Sequence, residues 1–158
     1  MKVVLISYFS KSGNTKKMAE SVRDGVKALP DLDVILKRVQ DTTVEDLRSS
    51  DGIIIGSPTY FGVMATEVKD LLDRSIQCYG KLVGKVGGAF TSSGNIGGGN
   101  ETTILSILQG LLIHGMILQG VQKGNHYGPV SVGAPGEEIR QECARYGKMI
   151  ADLVKKVG

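Results

Sequence analysis

The chain has 158 residues, 19 basic against 16 acidic side chains and a formal charge of +3, so it is long enough for one folded domain over residues 1–158 that buries its core without staples. A charge this small and dispersed argues against nucleic-acid binding, and no apolar run reaches the length of a membrane span. The first residues lack the basic head, apolar middle and small-residue cleavage site of a secretion signal, which points to a cytoplasmic protein.

In chain order, the first predicted strand is the continuous apolar run Val3–Ile6, which suits a parallel strand covered on both faces. After it, Ser10–Thr15 reads SKSGNT, small and polar where a strand ends and a helix begins. Met18, Val22, Val26 and Leu29 then share one helical face, and Pro30 stops the run. Residues 33–39 give a weaker second strand. Thr42 and Glu45 have the T-x-x-E spacing of a capping box and open a short helix. Ile53–Ile55 is the third strand, followed by SPTYFG at 57–62.

Val68, Leu71, Leu72 and Ile76 form the stripe of a further helix. The fourth strand, 86–92, is thinned by glycine and leads into TSSGNIGGG at 91–99. Asn100–His114 is apolar almost all round, as an inner helix would be. Met116–Leu118 is the fifth strand. In the last helix Pro135 suits the first turn, Glu137 and Glu138 the positive start, and Lys155 and Lys156 the negative end. Its Ile139, Cys143, Tyr146, Ile150 and Val154 would face the sheet. Cys78 and Cys143 each fall in a helical stretch without metal-type spacing, so both read as packing residues and no metal site is expected.

Five strands alternating with helices predict a doubly wound α/β fold with right-handed crossovers and helices on both faces of a parallel sheet. In the strand order 2-1-3-4-5 the ligand lies at the switch between strands 1 and 3. The loops after strands 1, 3 and 4 share that edge, and all three are rich in Ser, Thr, Asn and Gly. The hydroxyls of Ser10, Ser12 and Thr15, the amide of Asn14 and the backbone N–H groups at the helix start can surround a phosphate, with Gly13 letting the main chain come close. A helix cap is the other reading, but a cap needs one such residue and this loop supplies four. Neither G-x-G-x-x-G after a strand nor G-x-x-x-x-G-K-[ST] occurs. Strand 1 ends in SYFS and strand 3 in GSPTY, and Asp51 begins strand 3 at the opposite edge, so a phospho-acceptor domain is excluded.

SKSGNT resembles the phosphate loop of flavodoxins. GSPTYFGVMATEVKDLLDR, GKVGGAFTSSGNIGGGNETTILSILQGLLIHGM and ARYGKMIADLV are similar to the WrbA-type branch of that family, the flavodoxin-like NAD(P)H:quinone oxidoreductases, in a shortened form. The resemblance implies a flavodoxin-like fold and one FMN. It places Ser10, Lys11, Ser12, Gly13, Asn14 and Thr15 at the FMN phosphate, and Pro58, Thr59, Tyr60, Phe61 and Gly62 along the isoalloxazine ring. Thr91, Ser92, Ser93, Gly94, Asn95, Gly97 and Gly98 would contact the pyrimidine edge and ribityl chain, and His114 would stand at the substrate face as a catalytic proton source.

Two functions follow from the resemblance: an electron carrier between iron–sulfur or flavin protein partners, and an NAD(P)H:quinone oxidoreductase that takes NADH or NADPH as donor and a small quinone as acceptor. The loop between the second and third strands, QDTTVEDLRSS, and the segment after the fifth are short for the WrbA branch, which favours the carrier, whereas the WrbA-like motifs and the positive charge favour the enzyme. The apolar Tyr60–Gly62 edge is compatible with a homodimer.

Overall fold

In the computed structural model, which describes residues 1–158, the chain forms β1 (Lys2–Tyr8), α1 (Asn14–Lys27), β2 (Leu32–Arg38), α2 (Val44–Ser49), β3 (Gly52–Tyr60), β4 (Val63–Met64), α3 (Thr66–Arg74), β5 (Val86–Ser93), α4 (Asn100–Ile113), β6 (Ile117–Leu118), β7 (Val130–Val132) and α5 (Glu137–Val157). A 3-10 turn, Ser75–Cys78, continues α3. The sheet order is β2-β1-β3-β5-β6, all parallel, with β7 also on β5 and the short β4 antiparallel to β3. The expected order 2-1-3-4-5 is therefore present, its fifth place shared by two short strands. Ile117–Leu118 pairs with Val86–Gly87 and Val130–Val132 with Thr91–Ser93. Between them residues 119–129 leave the edge.

Alternation along the central strands builds two cores. Val4, Ile6 and Tyr8 of β1 face α1 and α5, packing with Met18, Val22, Cys143, Tyr146 and Ile150. Leu5, Ile53 and Ile55 face the other way, against Val68, Leu71, Ile104 and Ile107. Strands buried on both sides need apolar residues at successive positions, which is why their sequences are unbroken apolar runs. Behind the first core α1 and α5 meet backbone to backbone. A Cβ at Gly25 would lie 1.9 Å from the carbonyl oxygen of Ala144, and one at Gly147 would lie 2.1 Å from that of Val22. No other residue fits at either position.

Three local expectations are corrected. The capping box of α2 is built one residue later, from Thr43 and Asp46: Asp46 N–H donates to Thr43 Oγ1 at 3.1 Å and Thr43 N–H to Asp46 Oδ2 at 2.8 Å. Thr42 is buried instead, donating to the Arg38 carbonyl and bonded to Ser7 Oγ. Ile76 leaves the stripe of α3, because the 3-10 turn rotates it out to 68% exposure. Helix α4 is not internal: Ile104, Ile107 and Leu111 are buried, but Leu112 and Ile113 are 56% and 73% exposed. Asp51 lies before β3, where its carboxylate accepts the Val3 N–H at 2.8 Å, far from the carboxyl edge.

Candidate functional site

At the end of β1 the Ser10 hydroxyl accepts the Gly13 N–H at 3.1 Å, and Gly13, at φ 99°, adopts a left-handed conformation that favours glycine. Helix α1 begins at the next residue with no side-chain cap and no acidic residue in its first turn. The other four helices each carry Asp or Glu there. The N–H groups of the first turn of α1 thus face outward with the positive end of the helix dipole uncompensated. Neither Ser12 nor Asn14 caps the helix, so these side chains are free for a ligand.

The second and third loops are tied to the first by buried hydroxyls. Thr15 Oγ1 and Ser92 Oγ lie 2.8 Å apart. Thr91 Oγ1 donates to the Ser57 carbonyl at 2.7 Å and accepts from Thr59 Oγ1 at 2.8 Å. Ser57 Oγ accepts the Ala65 N–H and donates to the Pro58 carbonyl. β3 then runs on to Tyr60, and Tyr60 pairs with Val63 across a two-residue turn. Its central residues, Phe61 at φ 50° and Gly62 at φ 81°, are both left-handed, the geometry of a tight hairpin. Phe61 stands fully exposed at the tip.

The glycine-rich loop is ordered by one side chain, Asn100 in the first turn of α4. Its Oδ1 accepts the Gly97 N–H at 3.1 Å, and its Nδ2 donates to Ser93 Oγ. Ser93 Oγ donates to the Asn95 carbonyl. A stretch that composition would call a loose turn is therefore a closed network.

These loops enclose a cavity of about 390 Å³ lined by Lys11, Ser12, Asn14, Thr15, Pro58, Thr59, Tyr60, Ser92, Ser93, Gly94 and Gly133. No carboxylate lines it, and Lys11 is its one cation. Of the other expected residues, Ser10 and Gly13 shape the loop behind it. Thr91 is fully buried and holds the strands together. Phe61 and Gly62 form the hairpin tip above, and Asn95 and Gly98, which do not line the cavity, close a turn in which the Gly98 N–H donates to the Asn95 carbonyl at 3.3 Å. Gly97 faces a neighbouring cavity on the far side of the loop, between α4 and β7. Gly133, directly after β7, and Asn100 were not expected. A glycine after an alternating V-S-V is the signal for the first; for Asn100 the helix start offered none beyond its polarity.

The structure does not bring His114 to this site. It follows the last residue of α4, whose first turn bounds the glycine-rich loop. Fourteen helical residues at 1.5 Å each separate the two by about 20 Å. His114 is buried against the 3-10 turn, with Nε2 2.7 Å from Ser75 Oγ and the Tyr79 ring 6.0 Å away between centroids. Burial pushes its pKa below the usual range. Within one chain, the residue expected as the proton source at the substrate face therefore lies at the opposite edge of the sheet from the three loops. His126, exposed and bonded through Nδ1 to the Val121 carbonyl, does not line the cavity.

Comparison with known proteins agrees with this architecture. Residues 37–124 match the family model described as NADPH-dependent FMN reductase. The chain is 40% identical to a flavodoxin of Aquifex aeolicus over 96% of its own length and 86% of that protein's. It is 34% identical to an NAD(P)H dehydrogenase (quinone) of Archaeoglobus fulgidus, over 98% of both chains. Among solved structures, a flavodoxin, WrbA-like protein from Agrobacterium tumefaciens superposes over the full length of both chains with a TM-score of 0.86 at 24% identity, a likeness of fold. No helix is long and apolar enough to cross a membrane.

Proposed function

The chain belongs to the flavodoxin-like family of FMN-binding redox proteins, and from that premise we propose that it is an electron carrier that holds FMN between the three loops and exchanges electrons with iron–sulfur or flavin proteins in the cytoplasm. The residues present fit the group. Ser12, Asn14, Thr15 and the uncapped N–H groups of α1 offer neutral donors to a dianionic phosphate, and each hydrogen bond to a charged group contributes about 1.5–3 kcal/mol. Ser92, Ser93 and Gly94 offer polar contacts along the middle of the cavity, while Pro58 and Tyr60 give its outer part a flat apolar wall. Burial, helped by Glu67, pushes the Tyr60 phenol above its usual range, so the wall stays neutral. When bound, FMN supplies one-electron and two-electron chemistry. The protein's part is to fix the phosphate, shield one face of the ring and keep negative charge away from it.

The observation that carries this reading is the acid-free, uncapped start of α1 facing Pro58–Tyr60 across a cavity without carboxylates. Titration of the purified chain with FMN tests it: saturable quenching of flavin fluorescence at one FMN per chain is expected, and absence of binding overturns it.

A second reading, an NAD(P)H:quinone oxidoreductase passing hydride through FMN, draws on the name of the Archaeoglobus relative. Against it, the cavity wall carries no arginine for a dinucleotide's phosphates, and His114 is remote. Robust turnover of NADH or NADPH with a small quinone would replace the carrier by the enzyme; its absence, with FMN bound, supports the carrier.

A further inference from the structure

The hydroxyls around the cavity are not interchangeable, because several of their hydrogens are already committed. Thr91 Oγ1 donates to the Ser57 carbonyl, so the hydrogen of Thr59 Oγ1 goes to Thr91. Ser93 Oγ donates to the Asn95 carbonyl and receives from Asn100 Nδ2, an amide whose orientation is fixed by the Gly97 N–H on its Oδ1. Thr59 and Ser93 therefore show the cavity lone pairs only. Thr15 Oγ1 and Ser92 Oγ differ. They lie 2.8 Å apart, belong to residues only 1% and 6% exposed, and have no other hydrogen-bond partner within the chain. Each carries one hydrogen and only one of the two can span the pair, so one is left over. A surplus hydrogen on a buried hydroxyl calls for an acceptor, and both residues line the cavity.

We infer that Ser92 is a positioning residue for the phosphate: its hydroxyl donates to Thr15 Oγ1, and so commits the surplus hydrogen, on Thr15, to an anionic oxygen at the start of α1. Thr15 is in the first turn of α1, among the outward N–H groups, whereas Ser92 is at the end of β5. An anion settles where the N–H groups are, and a phosphate monoester near neutral pH is mostly dianionic there and accepts only. That selects one of the two directions open to the pair. Donation from Ser92 also polarises the Thr15 O–H and strengthens the bond it makes. Ser92 Oγ is left with its lone pairs, in line with Thr59 and Ser93, so the cavity offers hydrogens at its α1 end and acceptors along its flank. This role rests on the FMN reading and adds to it a residue of the third loop that acts on the phosphate through the first.

Fluorescence titration of the full chain with FMN and with riboflavin tests it, read as the ratio of the two dissociation constants, which a general loosening of the cavity leaves unchanged. Ser92→Ala, checked by circular dichroism for an intact fold, should lower the preference for FMN about three- to tenfold, the range of a neutral hydrogen bond. Thr15→Val keeps the shape of the side chain without its hydroxyl and should lower the preference about ten- to a hundredfold, since that bond meets a charge. With Thr15→Val in place, adding Ser92→Ala should change the ratio by less than about twofold, because a residue that acts through Thr15 has nothing left to act on. Equal losses of FMN and riboflavin in Ser92→Ala, or effects on the ratio that multiply in the double variant, overturn the inference while FMN binding stands. A wild-type chain that takes up no FMN overturns the FMN reading, and this role with it.

Discussion

The hydroxyl of Tyr146, on α5, accepts the backbone N–H of Ala89, in the middle of β5, at 3.0 Å. Ala89 is the residue of β5 that faces the gap where the edge chain departs after Leu118 and returns at Pro129, whose carbonyl accepts the Thr91 N–H. Tyr146 stands in for the missing strand. Gly128 closes the other half of the gap, since a Cβ there would come within 2.1 Å of the Ala89 carbonyl oxygen. Burial pushes the Tyr146 phenol up to about 12, so the group stays neutral.

Tyr146→Phe should therefore cost more than its size suggests. It keeps the ring in the core but leaves a fully buried N–H without a partner, a penalty of about 1–3 kcal/mol. Urea denaturation of the variant should show that loss, and thermal melts a fall of about 3–10 °C in Tm for a chain of this length. Retention of wild-type stability would mean that the strand gap is sealed by other means.

Ser12→Ala tests the anion cradle with little risk to the fold, because Ser12 is exposed and makes no side-chain hydrogen bond of its own. Loss of one donor to the phosphate should weaken FMN binding about ten- to a hundredfold, measured by fluorescence titration, with the circular dichroism spectrum unchanged. Riboflavin, which lacks the phosphate, should bind both proteins equally.

The absence of carboxylates in the cavity predicts a reduced flavin that is easier to form than in a carrier with an acidic site. Gly94→Asp would reverse this. A Cβ at Gly94 meets nothing within 4 Å, so the side chain is accommodated. A carboxylate added to the cavity wall opposes an anionic reduced flavin by about 1–3 kcal/mol at an effective dielectric near 20, about 40–130 mV for a one-electron step. Potentiometric titration of the two FMN-loaded proteins reads the difference, and equal potentials would refute it.

His114 gives a pH dependence of stability. Burial lowers its folded pKa below the value in the unfolded chain, so over the interval between the two the unfolded state binds more protons. Its contribution is complete above the ordinary histidine range, about pH 6.5, and is lost as pH falls towards the depressed folded value. Denaturation measured from about pH 5 to 8 should show stability rising with pH, and His114→Asn should flatten that slope. Nitrogen chemical shifts should report the proton on Nε2, the tautomer that the Ser75 bond requires.

The sheet order, both cores and the three-loop site were legible because each rests on a strong local signal. The apolar runs of β1 and β3 admit few alternatives to doubly covered strands, and loops following parallel strands converge on one edge whatever their sequence. The split edge was not legible. Two- and three-residue strands carry no period, and β7 exists because β5 offers it unpaired backbone rather than because Val130–Val132 prefers to be extended. In α4, apolar residues all round leave periodicity no face to report, so burial was expected where half the helix meets solvent. The remoteness of His114 follows from simple counting, since a helix beginning at Asn100 carries residue 114 to the opposite edge. Family likeness, which is blind to that arithmetic, placed it at the site.

Gly25 and Gly147 give the contact between α1 and α5 a property that side-chain packing lacks. Backbones that touch directly leave no padding, so α1 behaves as a lever without slack, pinned near one end and carrying the anion cradle at the other, about 18 Å along its axis. A single methyl group added at the pinned end must tilt or lift the whole rod. The cradle is thus as vulnerable from behind as from its own loop, and a screen for chains that lose the yellow colour should recover changes at these two glycines alongside those at Ser12 and Thr15.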